Sequence, residues 1–157
     1  MKAMILRIAS EDIMDFIEGK RTDFVIKNWP TLAPLSDVFI YCEKQGKKVF
    51  LDNTKTILNG KIIAKGIYMN TRTFIPSLFT ADDYFWTWIG VPKEKVLKKL
   101  GKKDHGQLLC LRKIEKLARP LDLKDFGINK MNNEWRYVMT YEWNKNDTYK
   151  KIRKNRL

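Results

Sequence analysis

Apolar and polar positions change period several times along the chain, and each change marks an element. Ala3 to Ile8 is a short apolar run that suits an edge or buried strand. Ser10 stands where a helix N-cap is wanted, and Glu11 and Asp12 follow in the first turn, where a helix favours anions. Ile13, Phe16 and Ile17 recur at helical spacing, with Gly19 in the position of a left-handed cap, so a helix is predicted over 11–18. Thr22 to Lys27 reads as a strand before Pro30 and Pro34 break the pattern. The run "DVFIYC" (37–42) is a strand buried on both faces, and "KKVFLD" is a candidate for another. Asn59-Gly60 is a hairpin signal between residues 55–58 and the alternating run 61–68.

The period then returns to helical. Thr80 reads as an N-cap before the acids at 82 and 83, and Phe85, Trp88 and Ile89 form an apolar stripe, leaving Tyr84 and Trp86 as exposed platforms. Pro92 opens a third helix whose stripe is Val96, Leu97 and Leu100 and whose end is Gly101. "QLLCLRKI" (107–114) is a strand, "RPLDLKDFGI" a loop with a helical turn, and "EWRYVMTYEW" (134–143) a last strand. No repeat recurs. These elements make one domain over 1–143, followed by a polar segment, 144–157, with six Lys or Arg against Asp147: a basic arm or a frayed terminal helix.

Composition agrees with one folded domain: 157 residues, 44% hydrophobic and 31% charged. Charge adds something the pattern does not, since 31 Lys+Arg against 18 Asp+Glu give +13. Such a surplus points to a polyanionic partner, RNA or another nucleic acid first, with an acidic protein as the alternative. Arg7, Glu11 and Asp12 interrupt any signal-peptide core, and no apolar run approaches the ~20 residues that span a bilayer, so a cytoplasmic protein without a membrane partner is expected. Cys42 and Cys110 lie in strand-like runs without a C-x-x-C and read as packing thiols.

Conventional catalytic signals are sparse. His105 is the sole histidine, no G-x-S-x-G occurs, and Asp104-His105-Gly106 reads as a turn into the next strand. No D-x-D or H-x-x-x-H spacing supports a metal site, and neither a metal nor an organic cofactor is expected.

The order of elements resembles the ASCH family of the PUA-like superfamily, particularly its small phage and prophage versions. That family's signature is strand, helix, then G-x-K-x-x-E-x-R, and "GKRTDFVI" (19–26) occupies those positions. "SDVFIYC", "NGKIIAKGI" and "HGQLLCLRKIEKLARPLDLKDF" are similar to its buried strand, its hairpin, and its late strand with Pro-x-x-Leu-x-x-Phe. The resemblance spans about residues 3–140 and implies an α+β fold, a PUA-like mixed β-barrel flanked by helices, with a cleft beside the G-x-K turn. It also implies RNA binding, or in some branches the hydrolysis of modified nucleosides or RNA.

The departures lean towards binding. The family's Lys is matched by Arg21, its acidic or hydroxyl position by Phe24 and its Arg by Ile26. Arg stays protonated at working pH and Phe moves no proton, so no catalytic residue is assigned. The alternative is a nucleic-acid-modifying hydrolase, a nucleoside amidohydrolase or ribonuclease, with diverged residues. Candidate nucleic-acid contacts are Lys20, Arg21 and Thr22 at the turn, with Lys27 and Trp29 nearby and Tyr41 and Lys65 on neighbouring strands. Lys20 and Arg21 equally suit a helix C-terminus. On the third helix Lys95, Lys98, Lys99 and, beyond it, Lys102 form an electrostatic rim or a solvated face.

Overall fold

A computed structural model describes residues 2–51 and 54–139. Six strands build one mixed sheet: β1 (Lys2–Ile8), β2 (Asp23–Ile26), β3 (Asp37–Cys42), β4 (Ile62–Phe74), β5 (Gly106–Leu121) and β6 (Trp135–Met139), in the order β2-β5-β4-β3-β1-β6. Only β1 and β3 run parallel; the other neighbours are antiparallel. Three short helices, α1 (Ile13–Ile17), α2 (Tyr84–Ile89) and α3 (Lys93–Leu100), complete the fold with two 3-10 turns, Pro76–Leu78 and Leu123–Phe126.

Period-2 alternation sorts the core into two faces. Met4, Leu6, Val38 and Ile40 meet Phe16 of α1 and Phe24 and Ile26 of β2 on one side. On the other, Ile5, Phe39, Tyr41 and Ile62 are covered by Leu123, Phe126 and Ile128 from the segment after β5. A third cluster, with Trp86, Ile89, Val96 and Leu100, seats α2 and α3 against Val25, Phe74 and Leu108. β1 is interior, between β3 and β6, with Met4, Ile5 and Leu6 fully buried; it is not an edge strand.

The expected barrel is not closed. β2 pairs only with β5 and β6 only with β1, so the end strands leave a seam. Side chains take the donors that closure would have paired. Lys27 N–H donates to Glu134 Oε2 at 3.0 Å, and Thr31 N–H to the Tyr137 hydroxyl at 2.6 Å. β2 spans four residues before "KNWP" turns the chain away, too short to reach β6 along its length.

Several local expectations also shift. α1 begins at Ile13 rather than residue 11, because Ser10 turns inward: it is buried and its hydroxyl donates to Gln45 O at 3.3 Å. Asn59-Gly60 does turn, with Gly60 at φ +79 and Lys61 N–H on Leu58 O, but β4 leaves it to pair with β3 and not with 55–58. The Asn59 amide instead holds the preceding loop, accepting from Val49 N–H and donating to Lys47 O. The strand expected at 47–52 is reduced to one bridge, Phe50 with Ile57, and residue 52 lies outside the described residues.

In α2 the cap is Asp83, accepting from Phe85 N–H at 2.9 Å, while Thr80 bonds Asp82. Starting the helix there turns Trp86 and Ile89 inward and leaves Trp88 49% exposed, the reverse of the expected tryptophan assignment. Trp86 tolerates burial because its indole N–H reaches Thr80 O at 2.7 Å. α3 falls where predicted, except that Leu97 faces outward. β5 runs to Leu121, seven residues beyond the predicted 114, because β4 lengthens beside it through three register shifts. The last strand is described to Met139; its expected continuation and the 144–157 arm lie outside the described residues.

Candidate functional site

The open seam also holds a concavity. A cleft of about 820 Å³ lies between the ends of β1 and β2, α1, α3 and the segment leading into β6. Its floor is apolar, with Leu6, Ile8, Phe16, Phe24 and Ile26, and its walls carry Trp29, Trp135 and the amides of Asn28, Asn132 and Asn133. Five bases, Arg7, Arg21, Lys27, Lys95 and Lys99, line it against three acids, Asp12, Glu43 and Glu134. The size suits an organic ligand, and an aromatic wall beside cations suits nucleobases and phosphates.

Arg21 is held from three sides. Its guanidinium lies 4.6 Å from the Phe16 ring centre, and Nη1 is 3.6 Å from Asp12 and 4.0 Å from Asp15. Its stem crosses Gly90, whose missing side chain makes room: a Cβ there would sit 3.1 Å from Arg21 Cδ and Nε. Nε is buried with no hydrogen-bond partner among the described residues. Arg21 thus joins α1 to the junction of α2 and α3 while forming part of the cleft wall.

The lysines of α3 divide. Lys95 pairs with Glu11 at 3.2 Å and Asp12 at 3.5 Å, and Lys99 Nζ lies 2.5 Å from Glu134 Oε1 and donates to Val25 O. Lys103, one turn beyond Lys99, donates to Asn28 Oδ1 at 2.8 Å and Lys27 O at 3.1 Å. Lys95 and Lys99, four apart on α3, fasten the helix to α1, β2 and the segment before β6, and Lys103, beyond the Gly101 cap, reaches the "KNWP" turn. Lys98 and Lys102 are exposed with no partner among the described residues. Of the four lysines expected to form a rim or a solvated face, Lys95 and Lys99 line the cleft and Lys98 and Lys102 lie outside its lining.

The other candidates separate from Arg21. Lys20 points outward and pairs with Glu18 at 2.9 Å, a hydrogen bond that raises its pKa. Thr22 is exposed and outside the cleft lining, its carbonyl accepting from Leu111 N–H. Lys27 lines the cleft. Tyr41 and Lys65 do not: Tyr41 belongs to the second core face, and Lys65 stands opposite Phe39 in the β3–β4 ladder, which puts it on that face as well. Lys65 is 2% exposed and bonds Asp37 at 2.7 Å; burial raises the Tyr41 pKa. Of Arg21, Lys65 and Tyr41, Arg21 alone is among the residues lining this cleft.

Pattern reading missed Arg7 and Glu134. Arg7, whose Nη1 donates to Met131 O at 3.4 Å, was legible as a lone charge inside an apolar strand run. Glu134 carries no such signal, since its partners Lys27 and Lys99 are distant in sequence. His105 bonds its neighbour Asp104 at 2.8 Å, which lowers the Asp104 pKa, and stands in the turn before β5. Among the described residues no group of three or more His, Cys, Asp or Glu side chains is placed to hold a metal ion, and no helix is long and apolar enough to cross a membrane.

The described residues thus form an α+β fold, an open six-stranded sheet with a cationic, aromatic cleft at its seam. Its backbone is similar to that of ASCH from Zymomonas mobilis, at 11% identity over 91% of this chain and 92% of that one, with a TM-score of 0.65. A tyrosine-to-phenylalanine variant of that protein matches at 12% identity, 92% and 96% coverage and a TM-score of 0.66. A serine-to-alanine variant gives 12%, 94%, 95% and 0.66. The protein has the ASCH fold. No protein-family model and no curated protein matches the sequence.

Proposed function

We propose that the protein binds single-stranded RNA or a nucleotide-containing ligand through the seam cleft. The supporting observation is the convergence there of Arg21, Lys27, Lys95 and Lys99 with Trp29 and Trp135. Stacking on an aromatic side chain accepts any base, and a guanidinium or ammonium beside it meets the phosphate. Trp29 is 52% exposed and therefore available to stack. The net charge of +13 adds long-range attraction for a polyanion.

A hydrolytic role would have to draw on the carboxylates of the cleft. Glu134 has Oε2 on Lys27 N–H and Oε1 beside the Lys99 ammonium. A carboxylate engaged at both oxygens holds three elements together and is poorly placed to take a substrate proton, which favours binding over catalysis.

The test is titration of a fluorescein-labelled 12-nucleotide oligouridylate, with uridine monophosphate as competitor and intrinsic tryptophan fluorescence as the second readout. Saturable binding with quenching that is lost in Trp29→Ala is expected. Absence of binding at low salt, or quenching unchanged in Trp29→Ala, overturns the reading. Turnover of acylated nucleosides or RNA in proportion to protein concentration would reassign the cleft to a hydrolase.

A further inference from the structure

We infer that the loop leaving β3, residues 43–51, is a second nucleic-acid contact that carries nucleotides flanking the one in the cleft; this rests on the RNA reading of the cleft. Three exposed lysines, Lys44, Lys47 and Lys48, lie within five positions, and none has an ion-pair or hydrogen-bond partner for its ammonium among the described residues. Their situation is opposite to that of Lys95, Lys99 and Lys103, whose charges are already matched by Glu11, Asp12, Glu134 and backbone or amide oxygens. Unmatched cations are the ones that gain most from a phosphate, because no existing pair has to be broken.

The loop is fastened to the cleft wall. Glu43 lines the cleft, and its N–H donates to Ile8 O at 2.9 Å. Ser10, next to the lining residue Ala9, donates to Gln45 O, and Gly46 at φ +97 packs so closely that a Cβ would fall 2.7 Å from Ser10 Oγ. Asn59 holds the far side of the loop through Val49 and Lys47, and the Lys44 stem packs over Gly60. The three ammonium groups therefore ride on a backbone with a set position beside the cleft. Phe50 adds a 44% exposed ring for base stacking next to these cations. A strand leaving the cleft on this side meets positive charge and an aromatic surface in turn.

The experiment compares the 12-nucleotide oligouridylate with uridine monophosphate on the full chain. Lys44→Gln/Lys47→Gln/Lys48→Gln should make the log-log salt dependence of 12-mer binding shallower by about 2, from three phosphates at roughly 0.7 each. The same variant should bind uridine monophosphate as the parent does and keep its melting temperature, which separates lost contacts from lost folding. A charge-matched control on another surface, Arg119→Gln/Lys124→Gln/Lys130→Gln, should leave the slope near the parental value. An unchanged slope in the loop variant, or an equal change in both variants, overturns the inference while leaving the cleft reading intact. A parent that binds neither probe overturns both. Unchanged RNA binding together with lost binding to a polyglutamate peptide would assign the loop to an acidic protein instead.

Discussion

Lys99 Nζ sits 2.5 Å from Glu134 Oε1, and through this contact α3 is tied to the segment entering β6 across the seam that β2 and β6 leave unpaired. The same carboxylate accepts from Lys27 N–H at 3.0 Å. Three parts of the chain that share no ladder are thereby joined at one side chain in the cleft.

Removing that carboxylate should destabilise the fold. Glu134→Ala leaves the Lys27 N–H without its acceptor and the Lys99 ammonium with Val25 O but no ion-pair partner, a loss of about 1–3 kcal/mol, whereas Lys98→Gln should stay within about 0.5 kcal/mol. Urea unfolding midpoints test the difference. A double-mutant cycle with Lys99→Met should return a coupling of about 1 kcal/mol, and additive effects would show that the two residues act independently.

Gly90 and Arg21 should behave as one unit. Gly90→Ala adds a Cβ at 3.1 Å from the Arg21 stem at a residue with φ +74, so a loss of about 1–2 kcal/mol is expected. In an Arg21→Ala background the steric part disappears and only the backbone strain remains. Thermal melts of the four proteins should therefore show a smaller effect of Gly90→Ala when Arg21 is absent.

Two tryptophans should separate binding from stability. Trp29→Ala should weaken oligouridylate binding by about 1–3 kcal/mol with little change in melting temperature, since the ring is half exposed. Trp86→Phe loses the 2.7 Å bond to Thr80 O and should lower stability by about 1 kcal/mol while leaving affinity unchanged. The reverse outcome would place the ligand on α2.

Lys98 and Lys102 should govern salt dependence on the α3 side. Changing both to Gln should flatten the log-log slope by about 1.4 without affecting stability. Lys95→Gln is expected to alter stability as well, because it breaks the contacts with Glu11 and Asp12.

Cys42 should make the protein sensitive to alkali. Its side chain is buried, its Sγ–H points to Glu43 O at 3.8 Å, and burial pushes the thiol from 9.0 up to about 11. Between those values the unfolded chain has released the proton and the native protein has kept it, so stability falls as pH rises from about 9 to 11, by at most about 2–3 kcal/mol. Below pH 9 the contribution is complete. Urea titrations at several alkaline pH values should show a shallower decline in Cys42→Ala than in the parent.

What the sequence determined by itself is most of the elements, though not the strand expected at 47–52 or the hairpin partner at 55–58, and the class of the fold. Apolar runs at 3–8 and 37–42 are strands because their side chains are buried on both faces, and α3 follows from Val96 and Leu100 four apart with Gly101 behind them. These are local properties, decided within a turn of helix or a few strand residues. The excess of basic residues is likewise independent of the fold, as is the replacement of polar signature positions by Phe24 and Ile26.

Only the tertiary structure decided which of those residues meet. Tyr41 and Lys65 fall on the face away from Arg21 because strand alternation sends neighbours to opposite sides, and strand order determines which side faces the cleft. Trp86 and Trp88 exchange roles through the placement of the α2 cap at Asp83. Across the open seam, Glu134 and Tyr137 accept from a segment more than a hundred positions earlier, Lys27 and Thr31. Pairings over such separations leave no periodic trace in the sequence, since they depend on how the sheet brings distant segments together.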